Sequence, residues 1–174
     1  MEFQNVPAIV TGGASGLGEG AARALAAAGC KVAILDVNKE SGEKVAAELG
    51  GIFLHCDVTS ADSAEAAVTA AREAHGPCGV AVNCAGIAPA AKILGREGVM
   101  PLESFSKVVQ VNLIGTFNIL RLAAADMAQR EPNGDGERGV IINTASVAAY
   151  EGQIGQAAYS ASKGAVRIFS KSTA

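Results

Sequence analysis

Short apolar runs alternate with longer amphipathic stretches along the chain. The runs are Val6–Thr11, Lys31–Asp36, Gly51–Cys56, Val80–Asn83 and Val140–Thr144. Between them, Gly16–Ala28, Lys39–Leu49, Ala61–His75 and a long stretch from Leu102 to about Gln129 carry apolar residues at helical spacing. A last helix is expected to start near Gln153. Runs such as "PAIV" and "GVIIN" are apolar throughout, the pattern of strands covered on both faces. Repeated strand–helix–strand units predict parallel strands joined by right-handed crossovers. The expected fold class is therefore α/β, a doubly wound parallel sheet, with residues 1–174 forming one domain. Two segments read as loops, Ala88–Pro101 and Glu131–Gly139. The first follows the fourth strand, where it can line a pocket; the second reads as a surface excursion.

Composition narrows the classes. With 49% hydrophobic and 18% charged residues the chain is too apolar for disorder. A net charge of -3 gives no reason to expect nucleic acid or an anionic membrane as partner. The apolar stretches read as too short to span a bilayer, and no signal peptide is visible. Cys30, Cys56, Cys78 and Cys84 form no CxxC pair, so no metal site is expected. Cys30 and Cys56 read as buried thiols, and unpaired cysteines fit a reducing, cytoplasmic setting. His55 and His75 read as structural.

After the first run comes "TGGASGLG", Thr11–Gly18. Gly12, Gly16 and Gly18 fall where a tight strand-to-helix turn needs residues without side chains. Such a turn aims helix N–H groups and the positive end of the dipole at a pyrophosphate. Glycines also serve tight turns with no ligand; the preceding strand and following helix favour the phosphate reading. Asp36 ends the second strand, where a carboxylate accepts hydrogen bonds from ribose hydroxyls and repels the extra phosphate of NADP. The plain alternative is a cap for the next helix. Asp57-Val58 ends the third strand and "NCAG", Asn83–Gly86, ends the fourth, so both fall at the strands' carboxyl ends, where ligands sit in open parallel sheets.

The segment Asn143–Lys163 carries the candidate chemistry. Tyr159 and Lys163 lie four apart, one helical turn, with Cβ atoms about 5–6 Å from each other. A free tyrosine titrates near about pH 10. A lysine ammonium one turn away favours the phenolate and equips the phenol for proton transfer nearer neutrality. Ser146, just past the fifth strand, can hydrogen-bond a substrate oxygen as charge develops. A solvent-facing Tyr/Lys pair is the plain alternative; Ser146 thirteen residues earlier argues against it.

Together "TGGASGLG", Asp36, Asp57-Val58, "NCAG", "VNLIGT" around Asn112, Ser146 and "YSASK" resemble the short-chain dehydrogenase/reductase family in order and spacing. The wording of "GVIINTASVAAYEGQIGQAAYSASKG" and the two longer loops is most similar to its type II 3-hydroxyacyl-CoA dehydrogenase branch. The resemblance covers Thr11–Lys163. It implies a Rossmann-like fold, an NAD cofactor, and hydride transfer to or from a secondary alcohol or ketone, with acyl-CoA as the expected substrate. A steroid or other small hydroxy compound, and a non-catalytic NAD-binding module, stay open. The resemblance implies cofactor contacts at Gly12, Ser15, Gly16, Leu17, Gly18, Asp36, Asp57, Val58, Asn83, Cys84, Ala85, Gly86, Tyr159 and Lys163. It makes Asn112, Ser146, Tyr159 and Lys163 the catalytic set. Asn112 would interrupt helical bonding and hold a water linked to Lys163; read alone it would be a helix-surface asparagine. Gln153 and Gln156 join Ser146 and Tyr159 as substrate-pocket candidates. The long helix from Leu102 is apolar on more than one side, as in family members that pair such helices, so a homo-oligomer, dimer or tetramer, is expected.

After Lys163 the resemblance fades. The family pattern continues with a further strand, a helical lid and a last strand that "GAVRIFSKSTA" does not match. On this reading the fifth strand is the sheet's edge, the fold lacks the family's C-terminal strands and lid, and the chain by itself is a poor enzyme.

Overall fold

The computed structural model describes residues 2–96 and 98–173. Strand β1 (Pro7–Thr11) runs into helix α1 (Gly16–Ala27), followed by β2 (Lys31–Asp36), α2 (Lys39–Leu49), β3 (Ile52–His55), α3 (Ala61–His75) and β4 (Val80–Asn83). These match the expected boundaries to within a residue or two. Helix starts are set by local chemistry: Asn38 caps α2 by accepting from Ser41 N at 3.1 Å, and Ser60 caps α3 by accepting from Ser63 N at 3.2 Å.

The sheet is parallel, ordered β3-β2-β1-β4-β7, where β7 is Val140–Asn143. Successive side chains of a strand point to opposite faces, and both faces are apolar. Ile9, Ala33, Leu35 and Ala81 pack with residues of α3 and of the later helix α5 (Thr116–Met127) on one side. Ala8, Val10, Val32, Ile34, Val80 and Val82 pack with residues of α1 and α2 on the other. The continuous apolar runs in the sequence are the signature of this double covering. As expected, β7 is an edge strand among the described residues, with Val140 and Ile142 exposed at 38% and 49%.

Three features depart from expectation. The last helix, α6 (Ala157–Ser172), begins four residues later than Gln153. Gly155 has φ +86, which no L-residue helix sustains, so Gln153–Gln156 forms a turn. A 3₁₀ turn, Val147–Ala149, precedes it. The loop Ala88–Pro101 contains a small hairpin, β5 (Leu94–Gly95) with β6 (Gly98–Val99); Glu97 lies outside the described residues. The third departure concerns the stretch from Leu102. Helix α4 (Leu102–Val109), a π-turn at Gln110–Gly115 and α5 (Thr116–Met127) join into one 26-residue rod. An 18-residue stretch of it reaches a mean hydropathy of 1.4, so by length and composition it could cross a membrane, contrary to the sequence reading. Here the rod packs on α3, α6 and the sheet, and it buries Asn112, Thr116, Asn118 and Asp126 against protein partners. The excursion Glu131–Gly139 is exposed up to Arg138, and Asn133 Oδ1 shapes it by accepting from Asp135 N and Glu137 N, each at 2.9 Å.

Candidate functional site

A cleft of about 480 Å³ opens at the carboxyl ends of the strands, between the β1–α1 turn and the ends of β2, β3 and β4. Ligand sites commonly span about 300–1,000 Å³. Of the expected cofactor residues, Gly12, Ser15, Gly16, Leu17, Gly18, Asp36, Asp57, Val58, Cys84, Ala85 and Gly86 line it. Leu35, Val37, Cys56, Thr59, Ile87 and Val111 complete the wall; all but Val111, which comes from the helical stretch after Leu102, stand at or just past strand ends, the signal the sequence offered.

The turn works through close approach. Gly12 has φ +63, and a Cβ there would stand 2.8 Å from Ala85 N. A Cβ on Gly18 would collide with Gly12 O, so α1 can start tight against the turn only with glycine at this position. The result bares the N-terminus of α1 to the cleft, the end of a helix suited to an anion.

Asp36 is held by two backbone amides: Ala14 N donates to Oδ2 at 3.1 Å and Asn38 N to Oδ1 at 2.9 Å. The cap of α2 is Asn38, so the capping alternative for Asp36 falls away. Asp57 accepts from Thr59 N at 2.9 Å and Thr59 Oγ1 at 2.7 Å, and these bonds hold its carboxyl below the usual range. Asn83 behaves differently from the other cofactor candidates. Its side chain is buried beside the cleft, donating from Nδ2 to Asn143 Oδ1 at 2.9 Å and accepting from Thr11 Oγ1 at 3.5 Å. Thr11, missed in the sequence, also accepts at Oγ1 from Cys84 N and Ala85 N at 3.1 and 3.2 Å, fixing the cleft floor.

The floor runs directly into the catalytic candidates: a side chain added at Gly86 would lie 3.2 Å from Asn112 Oδ1 and 3.8 Å from Lys163 Nζ. Asn112 is fully buried inside the π-turn, a local break of regular helix often found at functional sites. The reading of it as a surface residue is thus excluded. Its amide clamps the loop after β4: Ile87 N donates to Oδ1 at 2.8 Å, and Nδ2 donates to Ile87 O at 2.9 Å and Ser162 Oγ at 3.1 Å. Its carbonyl accepts from Thr116 Oγ1 at 2.7 Å.

Lys163 is 5% exposed and donates to Thr144 O at 2.6 Å. Burial pushes its ammonium below lysine's ordinary value, with the Cys84 thiol opposing. Its Nζ stands 5.9 Å from the centroid of the half-buried Tyr159 ring. Ser146 caps the 3₁₀ turn, its Oγ accepting from Ala148 N at 3.1 Å, which leaves the hydroxyl proton free to donate elsewhere. Gln153 is exposed and Gln156 half-buried, both in the turn before α6. The other thiols are inert by environment: burial pushes Cys56 and Cys78 up to about 12.

A family model described as short chain dehydrogenase matches residues 7–174. The chain is 55% identical over 163 residues to a 3-hydroxyacyl-CoA dehydrogenase type-2 of Rattus norvegicus, covering 91% of this chain and 62% of that relative. It is 51% identical to the protein of the same description from Homo sapiens, with the same coverage. Among solved structures, a 3-hydroxyacyl-CoA dehydrogenase type-2 from Mycobacterium avium superposes with a TM-score of 0.90 at 42% identity, over 97% of this chain and 68% of that one. The chain therefore spans about 62% of the length of these curated relatives.

Proposed function

Since the chain belongs to the short-chain dehydrogenase family, we propose that it binds NAD in the strand-end cleft and interconverts a secondary alcohol and a ketone, with a 3-hydroxyacyl-CoA as the substrate. The observation that carries this reading is continuity: the glycine turn and Asp36 share one cleft with the floor that meets Asn112 and Lys163. The substrate class rests on the relatives named 3-hydroxyacyl-CoA dehydrogenase type-2.

The residues present fit a dinucleotide. Gly12 and Gly18 leave the helix end clear for a pyrophosphate, and Asp36, held by two amides, presents its remaining lone pairs to ribose hydroxyls. A carboxylate there disfavours the additional phosphate of NADP. Bound in this cleft, NAD supplies the hydride acceptor. The chain's own side chains manage the proton. Ser146 donates its free hydroxyl hydrogen to the substrate oxygen. Tyr159 accepts the alcohol proton during oxidation and returns it during reduction. Lys163 stabilises the phenolate form of Tyr159 by charge, and its backbone partner Thr144 O keeps the ammonium oriented. Exposed Ile114 in the π-turn, Phe117 on α5 and Ile168 on α6 are where a second copy would pack.

The test is turnover of acetoacetyl-CoA with NADH, in this chain and in one extended by the C-terminal third of a relative. Tyr159→Phe is expected to leave NAD binding intact and to lower turnover by at least ~10²-fold, the scale of a lost general acid. Retention of most activity in Tyr159→Phe would overturn the mechanism.

A further inference from the structure

The residues that do the proton chemistry stand on α6, and α6 is tied to the rest of the fold by polar contacts along its buried stripe. The stripe runs Tyr159, Ser162, Lys163, Val166 and Ser170, spacings of three and four that keep one helix face inward. Towards its start, Ser162 Oγ accepts from Asn112 Nδ2 at 3.1 Å and donates to Tyr159 O at 2.8 Å. Two turns further on, Ser170 Oγ accepts from Asn143 Nδ2 at 3.0 Å and donates to Val166 O at 2.7 Å. Asn143 sits on the edge strand β7 and is itself fixed, its Oδ1 accepting from Asn83 Nδ2 in β4 at 2.9 Å. Asn83 Oδ1 in turn accepts from Thr11 Oγ1 in β1 at 3.5 Å. A single file of side-chain hydrogen bonds thus crosses the sheet from the cofactor turn and ends on the catalytic helix.

We propose that Asn143 and Ser170 are a positioning pair: their bond sets the roll of α6 about its axis and so fixes where Tyr159 and Lys163 stand over the cleft. This rests on the reading of those two residues as the proton-transfer pair. The helix itself gives no reason for a serine at position 170. Alanine is the better helix former, and a serine bonding back to the carbonyl four residues earlier slightly weakens a helix. What the hydroxyl adds is a directional acceptor for Asn143. The other contacts on this half of the helix, buried Val166 and Phe169 edge-on to Phe117 at 6.4 Å between ring centroids, are apolar and restrain the roll less sharply than a hydrogen bond does. The leverage is large: with side chains reaching roughly 5–6 Å from the axis, a roll of about 10° moves their ends by about 1 Å. A displacement of that size can cost up to about 10²-fold in rate.

The experiment compares Ser170→Ala, Ser170→Thr, Asn143→Ser and, as a control, Ser172→Ala. Ser172 also bonds back to the carbonyl four residues earlier, Ile168 O, but is exposed, and among the described residues its hydroxyl has no bond to a strand. Ser170→Ala and Asn143→Ser, whose side chain is too short to reach, are expected to lower kcat roughly 10-fold while KM and NAD affinity stay within about twofold. Ser170→Thr keeps the hydroxyl and is expected to keep kcat. A second readout needs no turnover: the rate at which acetic anhydride acylates Lys163, followed by peptide mass spectrometry. It is expected to rise by about threefold or more in Ser170→Ala and Asn143→Ser, as a loosened helix exposes the amine, and to stay at the parent rate in Ser170→Thr and Ser172→Ala. Equal kcat and equal acylation in parent and Ser170→Ala would overturn the proposal. So would a Ser172→Ala variant as impaired as Ser170→Ala, or a Ser170→Thr that rescues neither readout. Should Ser170→Ala not fold, Asn143→Ser decides by the same two measurements. If neither the parent nor the extended chain turns over substrate, the dehydrogenase reading fails, and the acylation series still decides whether the pair positions Lys163.

Discussion

Asn112→Ala separates two views of one residue. On a helix surface the change would fall within about 0.5 kcal/mol of neutral. In the structure Asn112 is fully buried and makes three side-chain hydrogen bonds, to Ile87 N, Ile87 O and Ser162 Oγ. Each such bond contributes about 1 kcal/mol net, and partners left dry cost more. Three bonds give about 3 kcal/mol; a vacated amide volume adds to that, and the better helix propensity of alanine returns up to about 0.7 kcal/mol. The expected loss is about 2–4 kcal/mol, a sizeable share of the about 5–15 kcal/mol that holds a domain together. For a chain of this length it corresponds to a fall in Tm of about 5–15 °C. Urea and thermal unfolding give the global figure. Hydrogen exchange at the Ile87 amide gives the local one, since that N–H loses its acceptor and should exchange much faster. A variant with the parent's unfolding free energy and an equally protected Ile87 amide would refute the clamp.

Two further outcomes follow from single groups. Burial holds Lys163 below lysine's ordinary value of 10.5, so between its folded and unfolded values the unfolded chain binds the extra proton and stability rises with pH. Lys163→Met removes the cost of burying the ammonium together with its bond to Thr144 O. It is therefore expected to melt higher than the parent at pH 7, with an advantage that shrinks as pH climbs towards 10.5; a lower or equal Tm at pH 7 would contradict the burial argument. For Asp36→Ala, calorimetric titration with NAD and NADP is expected to show weaker NAD binding and a narrower gap between the two cofactors; an unchanged ratio would show that Asp36 takes no part in the choice.

The parts legible in the sequence are those written within one short segment. The glycine turn, Asp36 after its strand and the four-residue step from Tyr159 to Lys163 are local patterns, and each stands where it was expected. The doubly covered sheet was legible because burial on two faces leaves no polar alternation to misread. What the sequence hid is contact between distant residues. Thr11 reads as the last letter of a strand until Cys84 and Ala85 are seen to donate to it, and Thr144 is anonymous until Lys163 reaches its carbonyl. Asn83 reads as a cofactor contact because "NCAG" ends its strand and matches the family pattern; its side-chain bonds to Asn143 and Thr11 within the sheet are invisible in the sequence. The start of α6 was misplaced because Gly155 lies within an otherwise helix-compatible stretch, and only its positive φ reveals the break.

The order of the strands carries a consequence for how the molecule comes together. Strand β1 pairs with β2 over a short connection, and β2 with β3 over a shorter one, so this half of the sheet is built from near neighbours in the chain. The other half closes over much longer distances: Thr11 meets Asn83 across 72 residues, and Asn83 meets Asn143 across 60. Contacts remote in sequence are slow to form, since loop closure has to precede any reward. On a nascent chain the glycine turn and the Asp36 wall are therefore expected to consolidate first. The floor at Cys84 and Ala85 closes later, and α6 with Tyr159 and Lys163 docks last. On the proposed function, the half of the cleft that would hold the nucleotide is thus built from near neighbours in the chain, and the half that would move the proton waits on remote ones.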